Sequence, residues 1–397
     1  MEKVYLRPRR EDSILRFHPW VFSGAIASVT GNPAEGDLVA VYSSDGRYLA
    51  TGHYQIGSIA VRILSFDEDP TEPDFWEKMV RRAFQVRVAC GVHGSASTNC
   101  YRLVHGEGDG LPGLIIDYYD GVCVLQAHSV GMFKAKGAIC EALKVVYGDT
   151  LKAVYDKSSG TAPFKAGLDL VDGYLYKADG FDTDECVVLE NGNKFHVNWN
   201  EGQKTGFFLD QRENRAAVGR LAKGRNVLNL FCYTGGFSIY ALNGGAVHVD
   251  SVDSSRKAMD MVDRNVVLNG FTPEQHTSYC ADAIEFLRDV PEGKYDLMIV
   301  DPPAFAKHRG ALKNALRAYQ RLNAAAIAKV APGGFVFTFS CSQVVDKEAF
   351  ALAVFSAAAQ TGRSVRILDR LNQPADHAVN IYHPEGEYLK GLLLYVE

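Results

Sequence analysis

From residue 226 onward the hydrophobic pattern becomes regular. Short strand-like runs at residues 227–231, 247–252, 276–281, 297–300 and 335–339 are each followed by apolar residues at helical spacing. Runs of that length, rich in Val, Ile, Leu and Phe, predict parallel strands buried on both faces, with helices as crossovers. Two further runs, at 365–368 and 391–396, close the chain with only a loop between them. The expected C-terminal part is therefore a seven-stranded, doubly wound, Rossmann-like α/β domain with a hairpin-like return at its end.

The first half is patterned differently. Short β-type runs at 38–42, 48–52 and 59–64 are separated by turn signals such as Ser43-Ser44-Asp45-Gly46, which predicts a small β-rich module over residues 1–73. Residues 70–74 read as a linker, and helical spacing follows over 75–90. Strands at 113–118, 122–127 and 151–155, with a helix over 132–147, predict a middle α+β domain at 74–182. A hairpin at 187–189 and 194–198, turned by Asn191-Gly192-Asn193, opens the last region, 183–397.

Length and composition agree with this division. A chain of 397 residues predicts two or three domains with sizeable cores. The formal charge of -5 excludes a uniformly cationic nucleic-acid binder, so any RNA contact needs a local patch. Lys3, Arg7, Arg9, Arg10 and Arg16 form one, although a solvated face would read the same. No run approaches the roughly 18 apolar residues of a membrane span, and no apolar signal core follows the N-terminus, so a cytoplasmic protein is expected. The eight cysteines are scattered without a Cys-x-x-Cys pair, which argues against both a zinc site and a disulfide framework.

Chemistry concentrates at the predicted strand ends. In Asn229-Leu-Phe-Cys-Tyr-Thr-Gly-Gly-Phe-Ser238 a buried strand runs into glycines and then a helix. Such a turn lets backbone approach a nucleotide-like ligand and offers it free N–H groups. Phe231, Thr234, Gly235 and Gly236 are its candidate cofactor contacts. The Gly-x-Gly-x-x-Gly fingerprint is absent, which disfavours hydride chemistry. Asp253 ends the second strand, where a carboxylate can accept ribose hydroxyls or cap the next helix. Asp282 ends the third, suited to an adenine amino group or to another cap.

Asp301-Pro-Pro-Ala-Phe305 ends the fourth strand. The prolines hold the turn extended, so Asp301, Pro302 and Phe305 are preorganised to grip a base drawn out of its stack. Cys341, in Phe339-Ser-Cys-Ser342, ends the fifth strand beside the same crevice. Its flanking serines mark a polar strand end rather than a core. A free thiol titrates near about 8.5, so attack at neutral pH needs positive charge nearby; Lys307 and the helix start after Ser342 are candidates.

These motifs, together with His18-Pro-Trp-Val-Phe-Ser-Gly24, Gly106-Glu-Gly-Asp-Gly-Leu-Pro-Gly113, Gly202-Gln-Lys-Thr-Gly-Phe-Phe-Leu-Asp-Gln-Arg212 and Tyr382-His-Pro-Glu-Gly-Glu-Tyr-Leu-Lys-Gly391, carry a resemblance over essentially the whole chain. It resembles the bacterial ribosomal RNA large subunit methyltransferase I family of S-adenosylmethionine-dependent cytosine-carbon-5 methyltransferases. The resemblance implies a PUA-type RNA-binding module, a middle domain and a class I methyltransferase whose last strand runs antiparallel. It implies S-adenosylmethionine as cofactor and 23S rRNA as substrate, and because a carbon-5 attack needs an unstacked base, rRNA before full ribosome assembly is expected; a homodimer is left open. It assigns Cys341 as nucleophile on carbon 6, Asp301 to the nitrogen 3 edge, and Phe305 to stacking. Lys204, Asp210 and Arg212 become candidates for the methionine end of the cofactor, or members of an ion-paired loop.

Two departures matter. Asp376-His-Ala stands where many relatives read Asp-His-Pro, which bears on His377, a candidate substrate contact and base. No second cysteine follows the Asp-Pro turn, so the base that takes the carbon-5 proton is open among Asp301, His377 and water. Rival classes are an exocyclic-amine methyltransferase and a non-catalytic RNA-binding assembly factor.

Overall fold

A computed structural model of the protein describes residues 1–163, 167–306 and 308–397. The chain forms two compact units. The first comprises Met1–Val188, Val197–Leu209 and Ala375–Gly386; the second comprises Leu189–His196, Asp210–Pro374 and Glu387–Glu397.

The first unit begins with six strands, β1 (Glu2–Leu6), β2 (Trp20–Phe22), β3 (Ile26–Val29), β4 (Leu38–Tyr42), β5 (Tyr48–Tyr54) and β6 (Ile59–Ser65), plus the single turn α1 (Asp12–Leu15). They pair in the order β2-β6-β5-β4-β1-β3 around a core of Val4, Leu6, Val21, Val41 and Val61. A second sheet, ordered β11-β10-β9-β8-β7, contains β7 (Cys100–His105), β8 (Leu114–Tyr119), β9 (Val122–Ala127), β10 (Ala153–Asp156) and β11 (Gly173–Lys177). Helices α2 (Phe75–Ala89) and α3 (Val130–Tyr147) pack on it, and central β9 is buried at every position. Buried Arg87 donates to both oxygens of Asp109 and to the carbonyls of Arg102 (2.7 Å) and Asp376 (2.6 Å), so residues far apart in sequence share one satisfied cation. The hairpin β12 (Glu185–Glu190) and β13 (Asn193–Asn198) follows.

The second unit is the doubly wound sheet expected from the pattern. Its strands are β14 (Asn226–Leu230), β15 (His248–Asp253), β16 (His276–Cys280), β17 (Leu297–Val300), β18 (Gly334–Ser340), β19 (Val365–Leu371) and β20 (Lys390–Val396), ordered β16-β15-β14-β17-β18-β20-β19. The first five are parallel, and β20 is antiparallel to both β18 and β19. The helices are α4 (Arg212–Leu221), α5 (Gly236–Asn243), α6 (Arg256–Leu268), α7 (Ala283–Asp289), α8 (Leu312–Lys329) and α9 (Lys347–Thr361). All residues of β17 and β18 are buried, as two covered faces require. Edge strand β19 is mostly exposed and carries Arg366, Asp369 and Arg370, charges that discourage edge pairing. Among the described residues no helix is long and apolar enough to cross a membrane.

Candidate active site

Strand register in the second unit sets five candidate positions in a row. Leu230 pairs with Val252 on one side and Val300 on the other; Asp253 pairs with Cys280, and Val300 with Thr338. The carboxyl edge therefore reads Asp282, Asp253, Phe231, Asp301, Cys341, with the strand order reversing between β14 and β17. Open α/β sheets bind ligands in that crevice.

The turn after β14 is held in an unusual backbone. Phe231 (φ 58°), Tyr233 (φ 47°) and Gly235 (φ 81°) all lie in the left-handed region, which for an aromatic residue is costly and persists where surroundings over-determine it. Two side chains do so. Asp253 accepts from the backbone N–H of Tyr233 (3.0 Å) and of Ser255 (2.9 Å). Buried Asn265 donates to the Thr234 carbonyl (2.9 Å) and accepts from His196 N–H (2.8 Å). A Cβ on Gly236 would lie 2.9 Å from Arg215 Cδ. Arg215 cannot give way, because its guanidinium forms a buried bidentate pair with Glu190 (2.8 and 2.7 Å), to which Tyr240 also donates.

Asp282 caps α7 through one oxygen, accepting from Ile284 and Glu285 N–H, and its exposed side chain keeps the other. Each oxygen of Asp253 likewise retains acceptor capacity. Thus both aspartates serve as fold ties and can also receive hydroxyl or amino donors. A turn with open backbone, two flanking acceptors and partly exposed Phe231 fits an adenosine-bearing cofactor.

Asp301 is half-buried as a residue, while its carboxyl is enclosed by protein. Burial, then the Asp210 carboxylate, push it up to about 7; the Gln211 donor and Arg215 oppose the shift. Gln211 Nε2 donates to Asp301 (3.0 Å) and is itself held by Asn214 (2.6 Å), which also donates to the Asn372 carbonyl. Asp210 accepts from Tyr388 (2.5 Å).

Around Cys341 the flanking serines act as a clasp. Ser342 Oγ accepts from Ala306 N–H (3.3 Å) and meets Tyr319 Oη (3.0 Å), to which Ser340 donates (2.9 Å). That network joins the Asp-Pro-Pro loop to the end of β18. Lys390 Nζ donates to the Ser342 carbonyl at 2.6 Å. Burial lowers Lys390 to about 8, and the charge of Cys341 is the largest influence holding it up, so the ammonium, hydrogen-bonded to the carbonyl of the next residue, lies within electrostatic reach of the thiol.

Not every expected residue joins this edge. Phe305 packs on Tyr319 with ring centroids 4.7 Å apart and is half-buried, leaving one side for other contacts; Pro302 is buried. Arg212 is buried beside Glu213, and Lys204, at φ 51°, is exposed in the first unit. His377 also belongs to the first unit, where it is fully buried against Asp376 and the His105 ring, so a role as substrate contact would require it to leave that packing. Arg7, Arg9 and Arg10 are exposed on the first unit. Lys307 lies outside the described residues. Gln211 and Lys390 were not singled out by sequence, although both stand inside the quoted stretches: Gln211 between two charged candidates, Lys390 in the closing one.

A family described as S-adenosylmethionine-dependent methyltransferase matches residues 166–393, more than half of the chain, and a PUA-like domain matches residues 4–66. The Ribosomal RNA large subunit methyltransferase I of Aeromonas hydrophila is 39% identical, covering 98% of this chain and 98% of its own. A SAM-dependent methyltransferase named from Streptococcus mutans superposes with a TM-score of 0.84 at 23% identity, covering 100% of both chains. Another solved methyltransferase, complexed with SAH, gives 0.85 at 23% identity, again over 100% of both. At that identity the likeness is one of fold.

Proposed function

Because the chain belongs to the ribosomal RNA large subunit methyltransferase I family, we propose that it methylates carbon 5 of a cytosine in 23S rRNA through a covalent Cys341 adduct. The observation that carries this reading is the pairing, on adjacent parallel strand ends, of a thiol within electrostatic reach of a buried ammonium with a carboxyl pushed up to about 7. An exocyclic-amine reaction has no use for that thiol.

Residues 1–73 are assigned to the PUA-like RNA-binding part, 74–182 to a middle domain, and 183–397 to the hairpin and catalytic domain; the separate sheets support this division. Phe231, Thr234, Gly235 and Gly236 would cradle S-adenosylmethionine, with Asp253 on its ribose, Asp282 on its adenine, and Asp210 and Arg212 toward its methionine end. The chemistry this cofactor supplies is a sulfonium-bound methyl group, electrophilic toward carbon.

Lys390 provides the positive charge a thiolate needs. Cys341 sulfur bonds to carbon 6 of the cytosine, and the displaced ring electrons make carbon 5 nucleophilic. Asp301, able to hold a proton near pH 7, donates it to nitrogen 3 as negative charge develops there. After methylation the proton on carbon 5 passes to a base, the carbon 6–sulfur bond breaks, and nitrogen 3 releases its added proton to solvent as the thiolate departs and the ring regains aromaticity. Asp301, which has then given up its proton, is the residue this reading takes as that base.

The test uses protein-free 23S rRNA and labelled cofactor, with the product mapped by mass spectrometry. A methyl group on a cytosine carbon is expected, and RNA containing 5-fluorocytosine should trap an adduct that Cys341→Ser abolishes. Methylation elsewhere, or full activity of Cys341→Ser, would sink the reading.

A further inference from the structure

Two parts of the stretches quoted from the sequence have no assigned part in the reaction, His18-Pro-Trp-Val-Phe-Ser-Gly24 and the first residues of the closing stretch, around His383. They meet within the first unit, to which Ala375–Gly386 belongs. His383 is only 2% exposed, yet neither of its ring nitrogens has a hydrogen-bond partner. Leaving such groups unsatisfied is costly, and native proteins keep few.

What surrounds His383 is not inert. The Trp20 ring lies 4.2 Å away and the His18 ring 5.5 Å away, centroid to centroid. His18 Nδ1 sits 3.2 Å from Trp20 N and 3.3 Å from its carbonyl, which leaves Nε2 as the nitrogen able to ligate. Glu385 Oε2 is 3.8 Å from His383 Nε2, too far for a hydrogen bond and suited to a shared third atom. One donor atom from each of His18, His383 and Glu385 lies within 4.8 Å of the others.

We propose that His18, His383 and Glu385 form a binding site for a divalent transition metal of the zinc class. Two imidazoles and one carboxylate are donors that Zn²⁺ and Co²⁺ accept in tetrahedral coordination, with water in the fourth position. Magnesium and calcium prefer all-oxygen sets, which this site lacks. A metal here would satisfy a buried His383 nitrogen and tie residue 18 to residues 383 and 385, holding the late-returning segment on the first unit.

The test titrates the full chain, stripped with chelator, with Co²⁺ followed by absorption and with Zn²⁺ followed by calorimetry. Expected are one saturable site with nitrogen and oxygen ligation, a raised unfolding temperature on loading, and affinity weakened more than about tenfold in both His383→Ala and His18→Gln. If His383→Ala does not fold, the half-buried His18→Gln carries the comparison. No saturable binding, unchanged affinity in the folded variants, or a thiolate-to-cobalt band from cysteine ligation would each overturn the proposal.

Discussion

A single carboxyl group illustrates how position alone changes chemistry. Asp301 is enclosed by protein beside Asp210, so its proton is held until about pH 7 rather than near the usual value of about 4 for an aspartate. Below about pH 4 both folded and unfolded chains hold the proton, and the residue does not affect stability. As pH rises toward 7 the unfolded chain releases it first, so Asp301 costs stability increasingly with pH. Asp301→Asn is therefore expected to leave the unfolding temperature unchanged at pH 4 and to raise it at pH 8, while lowering methyl transfer by about 10²-fold or more. An equal thermal difference at both pH values would refute the assignment. Cys341, Asp301 and the glycine pair were legible as strand-end residues, but their partners were not. Gln211 lies 90 residues from Asp301, Lys390 lies 48 from Ser342, and no local pattern links either pair.

At the scale of elements, the turn between β14 and α5 depends on what packs behind it. Gly236 reads from sequence as a contact for the cofactor; the structure adds that a side chain there meets Arg215, which Glu190 immobilises. Gly236→Ala is thus expected to cost about 1–3 kcal/mol in urea unfolding through overpacking, and calorimetry should show weakened S-adenosylmethionine binding. A variant with unchanged stability and affinity would show that the Arg215 contact yields freely. Strands β17 and β18 were readable because two covered faces leave no polar position to blur the run. Strands β7 and β11 escaped notice, since Tyr101, Arg102, Tyr174 and Tyr176 interrupt the apolar pattern with groups that the fold satisfies internally, as Arg102 with Asp117 and Tyr174 with Asp184.

For the molecule as a whole, a net charge of -5 coexists with an exposed basic cluster at its start. If that cluster meets RNA phosphates, replacing Arg7, Arg9 and Arg10 together by Ala should weaken RNA binding and flatten its dependence on log salt by up to about 2. Cofactor affinity should not move; an unchanged slope would remove the cluster from the interface. The succession of strands along the chain, the hairpin-like return at its end and the identity of the strand-end carboxylates and thiol followed from the sequence, because the period of a run is a local property; the spatial order of the strands came from the structure. Which cation lies within electrostatic reach of Cys341, what pushes Asp301 toward neutrality, and why His383 has no hydrogen-bond partner were decided only by the tertiary structure. Those properties arise from desolvation and from charges brought together across tens to hundreds of residues, and no short window of sequence contains both members of such a pair.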